Sequence, residues 1–216
     1  YGIIFEIIAT TSAKLHALYE KWLYCALRKK WRNHALYKIR SIKMAAAVCQ
    51  GQLATGASPT WANVEAGCKY NLADSATSTT SIAVPTATGT VFSWIKNLVL
   101  AVTTTGTTTI NNRKISMGSS PATGLQLFWK QLAVASYAQS ASGNRPASSG
   151  SNGATPSGYT LMTTTAALYD NTSVATSGSG PNGDMAVCVL GVDFSYAGGP
   201  GSAIALPNVV ITFDEF

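Results

Sequence analysis

The chain has 216 residues, with 15 Lys and Arg, 9 Asp and Glu and 2 His, for a formal net charge of +6. That length supports one full-sized core, and a single all-β domain can use all of it. The average charge would point to nucleic acid or an anionic surface, but its placement withdraws the inference.

Residues 1–43 hold nine of the basic residues (Lys14, Lys21, Arg28, Lys29, Lys30, Arg32, Lys38, Arg40 and Lys43) and two acids, Glu6 and Glu20. The remainder carries six (Lys69, Lys96, Arg113, Lys114, Lys130 and Arg145) against seven acids, and no histidine. It is almost neutral and rich in Thr, Ser, Ala and Gly, so a nucleic-acid partner is not expected for it. Without histidine it also lacks the usual general base near neutral pH. No catalytic, cofactor-binding or metal residue is assigned, and the chain is read as a non-enzyme.

Apolar residues open the chain, from Gly2 to Ala9, but they fall well short of the roughly 20 residues of a membrane span. They precede the basic stretch, the reverse of a secretory signal. Residues 11–43 read as a basic amphipathic helix, with Thr11 or Ser12 as N-cap and Leu15, Leu18, Trp22 and Ala26 at helical spacing. Three readings of this leader stand open: a basic arm reaching a neighbour or nucleic acid, a membrane-surface helix, or upstream translation with Met44 as the true start. The composition changes abruptly near 41–47, which divides the chain into a leader, 1–43, and a domain, 44–216.

After Met44, runs of alternating apolar residues predict strands. In Val91 to Val102 one face reads Phe92, Trp94, Lys96, Leu98, Leu100 and Val102, a core strand with one polar interruption. Further strands are expected over Trp61–Leu72, Thr107–Met117, Leu125–Lys130, Tyr159–Thr165, Met185–Tyr196 and Ala203–Phe213. Met185–Tyr196 is apolar at both parities and should be buried on much of both faces. Pro207 should break or edge the last strand, leaving Val209, Ile211 and Phe213 to point one way. The expected core is Phe92, Trp94, Leu98, Leu100, Leu127, Cys188, Leu190, Val209, Ile211 and Phe213. Strands separated by Gly, Pro, Ser and Asn clusters favour a β-sandwich or jelly-roll. Two long polar loops, 138–158 and 171–184, are expected to contact neighbouring proteins.

Cys25, Cys49, Cys68 and Cys188 stand far apart with no CxxC pair, which argues against zinc or redox motifs. Free thiols fit a reducing compartment, with a Cys68–Cys188 bridge as the alternative. His16 and His34 lie in the leader at no metal-binding spacing. Asp184, Asp193, Asp214 and Glu215 could in principle serve as a carboxylate pair or calcium ligands, but they read more simply as a turn, an outward strand residue and an acidic tail. The glycine clusters 178–180 and 198–201 read as interstrand loops, and Asn171-Thr-Ser173 as a chance sequon. Trp61, Trp94 and Trp129 read as core, or as a sugar-binding surface if exposed. Arg113-Lys114 is either an intersubunit salt bridge or a solvated face.

The stretches Pro59-Thr-Trp-Ala-Asn-Val64, Ala83-Val-Pro-Thr86, Phe92-Ser-Trp-Ile-Lys-Asn-Leu98, Ile110-Asn-Asn-Arg-Lys-Ile115 and Val209-Val-Ile-Thr-Phe-Asp-Glu-Phe216 resemble small virion structural proteins of tailed bacteriophages. The resemblance covers about 60–216. It implies a virion subunit assembled in the host cytoplasm, of the capsid decoration or cement type or a neck or tail component, without cofactors. Its partners would be the major capsid protein or other virion proteins and further copies of itself, a trimer being the first expectation. A carbohydrate-binding adhesin module of a tail fibre is the rival reading.

Overall fold

A computed structural model describes residues 48–65, 67–104, 109–175, 183–198 and 208–215. The expected leader helix and the boundary near 41–47 lie outside the described residues, as do the glycines at 178–180.

The described chain is all-β: eleven strands, two short 3-10 turns (Val134–Ser136 and Ser142–Asn144) and no α-helix. In chain order the strands are β1 (Val48–Thr55), β2 (Thr60–Asn63), β3 (Thr90–Phe92), β4 (Lys96–Thr104), β5 (Thr109–Met117), β6 (Leu125–Leu132), β7 (Thr160–Leu161), β8 (Ala167–Asp170), β9 (Val174–Ala175), β10 (Met185–Asp193) and β11 (Val209–Glu215). A large antiparallel sheet runs β2-β1-β4-β10-β6-β7, with β3 also paired to β10. A small one runs β11-β5-β8, with β9 also on β5.

The two sheets share one core, and β10 organises it. All nine residues of β10 are buried. Alternation sends Ala186, Cys188, Leu190 and Val192 inward, against Leu98 and Leu127 of the large sheet and Ile115, Met117 and Tyr169 of the small one. Val187 and Val189 face the other way and pack with Phe92, Ile95 and Phe128. The Phe92 and Phe128 rings meet edge-on, 6.0 Å between centroids. Each such side chain taken from water contributes about 1.5–3 kcal/mol, so apolar burial stabilises both faces of the large sheet.

The outer of those faces is covered by the polar stretch 138–158, which is fastened down along its length. Thr90 and Ser149 exchange both backbone hydrogen bonds at 2.9 Å. The Thr90 hydroxyl donates to Ser151 O and the Gly89 amide to Asn152 Oδ1, both at 2.8 Å. Ser140 Oγ donates to Ile95 O, and Asn97 Nδ2 to Ala138 O. Asp193 faces away from the core between the sheets, as its parity predicts, but is buried there, and its carboxylate accepts from Gly153 N and from the amide and hydroxyl of Ser195.

Several expectations need correction. The run Val91–Val102 is not one strand. It breaks at Ser93–Ile95, where the Ser93 hydroxyl donates to Trp94 O and accepts from Leu190 N. The break shifts the alternation, so Phe92 and Ile95 pack on the outer face while Leu98 faces the core between the sheets. Trp94 falls in the break and is half-buried rather than core. Six of the ten expected core residues are buried (Phe92, Leu98, Leu100, Leu127, Cys188 and Leu190). Val209, Ile211 and Phe213 do share one face, but are half-buried. Strand structure over Trp61–Leu72 stops at Asn63, and over Tyr159–Thr165 only Thr160–Leu161 pair.

Candidate functional site

Two buried cations fasten irregular chain to the sheets. On the small sheet, Arg113 of β5 is fully buried and forms an ion pair, Nη2 to Oδ2, with the equally buried Asp170 at the end of β8. Asp170 Oδ1 also accepts from the amide and hydroxyl of Thr172, and Oδ2 from the amide of Asp184. Burial alone would raise the Asp170 pKa. The Thr172 and Asp184 donors and the Arg113 charge outweigh it and hold the carboxyl below its ordinary value. Asp184 in turn accepts from Gln131 Nε2 of β6 at 2.7 Å, so the clasp reaches from the small sheet to the large one. Gly183 completes it: a Cβ there would meet the guanidinium at 2.0 Å, and its φ of +83° favours glycine.

On the large sheet, Lys96 opens β4 and is buried among neutral partners. Its ammonium donates to Asn71 Oδ1 at 2.9 Å, Ala73 O at 2.7 Å and Ser75 O at 2.9 Å, which uses all three of its protons. Burial pushes its pKa down. The loop it clasps is also tied by Asp74, whose Oδ2 accepts from Gly56 N at 2.7 Å and Gln139 Nε2 at 2.9 Å. The predicted polar interruption of a core strand is therefore the anchor of the 71–75 loop.

These clasps revise the reading of the motifs. The two residues of Arg113-Lys114 part ways: alternation turns Arg113 inward to Asp170, neither bridging subunits nor solvated, and leaves Lys114 on the opposite face, across from Leu168 and Thr212. Asp214 and Glu215 are residues of β11 rather than a tail, and Asp214 accepts from Asn112 Nδ2 at 2.8 Å. Trp129 is buried in the core and Trp61 half-buried on β2, so neither presents the open indole of a sugar platform. Among the described residues Cys49, Cys68 and Cys188 are free thiols, and burial pushes the Cys188 pKa up to about 12. Asn171 is exposed. Among the described residues no three His, Cys, Asp or Glu gather as metal ligands, and no helix is long and apolar enough to cross a membrane. His16 and His34 lie outside the described residues.

Among the described residues, two of the four exposed large apolar side chains lie on the outer face of the small sheet. That face carries the half-buried Lys114, the buried Ser116 and the exposed Leu168, Val210 and Thr212 in register. Leu168 is 51% exposed and Val210 37%. Among the described residues β11 pairs on one side only, with β5. Its inward residues Val209, Ile211 and Phe213 border a cleft of about 1090 Å³, whose far wall includes Cys49, Leu98 and Leu100. An edge strand with an apolar flank is a template for pairing with another chain. Pro207 already marked the last strand as broken or at an edge, but not which strand it pairs with, because pairing partners are not written in a strand's own alternation; Pro207 itself lies outside the described residues.

No family model, curated protein or solved structure matches the chain.

Proposed function

We propose that the chain is a non-enzymatic structural subunit of a phage particle, a β-sandwich of the capsid decoration or cement type. The observation that carries this reading is the small sheet's outward face and edge, where Leu168, Val210, Thr212 and β11, paired on one side only among the described residues, form a weakly polar surface. Such a surface suits extended contacts with a neighbouring subunit, through side chains across the face and backbone hydrogen bonds along the edge. The clasped loops support it, because a subunit that resists shell expansion has to be rigid between its contacts. Many weak contacts repeated over a lattice then add through multivalency.

The test is particle robustness to heat or osmotic shock, with and without the protein, together with its position in the purified virion. Loss of robustness in its absence, with the protein spread over the shell, is the expected result. Val210→Asp should abolish incorporation while leaving the thermal midpoint of the free protein in place. Equally robust particles, with the protein confined to fibre tips, would favour the adhesin reading.

A further inference from the structure

The clasped loop on the outer face of the large sheet encloses a second, smaller cleft, of about 340 Å³. This is near the lower limit for small-molecule sites, about 300 Å³. Its lining residues include Lys130 from β6 and Arg145 from the loop, with Ser149, Thr155, Tyr159 and the buried Pro156. No carboxylate is among its lining residues.

That convergence stands out against how the other basic residues after Met44 are used. Lys96 and Arg113 are buried in the two clasps, Lys69 lines the larger cleft, and Lys114 lies on the small sheet's outer face. Lys130 and Arg145 alone share one concave site. The Lys130 ammonium lies 4.7 Å from the centroid of the Tyr159 ring, which holds its charge at the cleft without neutralising it. Burial pushes the Tyr159 pKa up to about 12, so its phenol adds no negative charge near neutrality.

The cleft is also built in advance. The wall from Asn144 to Tyr159 is low in complexity and would be costly to order, yet it is held by the Thr90–Ser149 bridge, by Asn152 on Gly89 and by Gly153 on Asp193. Asn144 Nδ2 fixes the near end on Gln139 O at 2.8 Å. Walls fixed before binding lower the ordering cost that a small ligand must overcome.

We infer that this cleft is a binding site for an acidic sugar residue, its carboxylate held by Lys130 and Arg145 and its ring hydroxyls by Ser149 and Thr155. The hydroxyl-rich lining and compact volume favour a single carboxylated sugar over an acidic peptide. The inference stands apart from the role of the small sheet, since the two surfaces are built from different strands and neither requires the other.

The probe is glucuronate, titrated against the full-length protein by calorimetry or amide chemical shifts, with methyl glucoside and inorganic phosphate as parallel arms. Glucuronate should bind at millimolar strength, at least about tenfold more tightly than either control, and added salt should weaken it. Arg145→Gln removes a charged hydrogen-bond partner and should cost about tenfold or more. Lys130→Gln should act in the same direction, and thermal midpoints close to the parent's would show that both variants stay folded. Equal binding of methyl glucoside, phosphate as tight as glucuronate, or unchanged affinity in a folded Arg145→Gln variant would each overturn the assignment. Those outcomes leave the particle-robustness test untouched.

Discussion

The two sheets keep a buried cation each, and they keep it differently. Arg113 on the small sheet has a charged partner whose remaining lone pairs are taken by Thr172 and Asp184. Lys96 on the large sheet has only neutral oxygens, one side-chain amide and two backbone carbonyls. Where the 71–75 loop covers it, the large sheet holds an ammonium with carbonyl oxygens alone. The small sheet, open on its outer face, uses a full ion pair to tie its strands to the chain leading into β10. Buried charge serves in both places as a fastener for irregular backbone, and the difference lies in what remains when one half is taken away.

The contrast is broken most severely by Asp170→Ala, which leaves Arg113 buried without its carboxylate and should cost about 3–5 kcal/mol of unfolding free energy, read by denaturant titration. The same carboxylate sets an acid limit. Its folded pKa lies below the ordinary value, so its contribution is complete above the unfolded value of about 3.9 and is lost as pH falls through the folded one. Wild-type stability should decline in that window, and Asp170→Ala should decline less steeply. Parallel slopes would show that the pair contributes nothing to acid sensitivity.

Lys96→Met keeps the stem but deprives Asn71, Ala73 and Ser75 of their donor. One orphaned buried acceptor costs about 1–3 kcal/mol, and a loss near the upper figure is expected, with faster amide exchange over 71–75. A variant as stable as wild type would mean that the carbonyls turn readily to water. Gly183→Ala sharpens the small-sheet side of the comparison: its Cβ meets the guanidinium, and its φ of +83° is strained for alanine. A loss of about 2 kcal/mol is expected, and the part due to the clash should shrink in the Asp170→Ala background, where the guanidinium loses its ion pair to Asp170, while the backbone strain at φ +83° remains. The smallest effect belongs to the outer cover. Thr90→Val removes the bond to Ser151 O and should cost about 1 kcal/mol, loosening 149–153 without moving the core.

How much of this was legible in the sequence depends on the distance over which each signal acts. Strands β5, β6 and β10 announce themselves because alternation is local, and the double-faced burial of β10 follows from apolar residues at both parities. Strand β1 does not, because Gln50, Gly51 and Gln52 interrupt its apolar pattern; it exists because β4 pairs along it from Ala54 to Val48. The break at Ser93–Ile95 was hidden for the opposite reason, since the apolar alternation runs on through it. The Arg113–Asp170 pair joins residues 57 apart in sequence. Nothing near either marks it, so a core ion pair read as a surface charge. The cleft at Lys130 and Arg145 arises only once a polar stretch is bent back over the sheet.

The place of β10 in the chain sets a timetable for folding. It lies between β4 and β6 in the large sheet, and β3 pairs with it as well, yet it is the tenth in chain order of the eleven strands among the described residues. Until Met185–Asp193 emerges, β4 with its partner β1 and β6 with its partner β7 cannot be joined into one sheet. Closure of the large sheet therefore waits for β10, through contacts of long sequence separation that form slowly and leave strand edges open in the meantime. A nascent chain stalled before residue 185 should be sensitive to protease and prone to aggregate, and release of Met185–Asp193 is what joins the two halves of the large sheet.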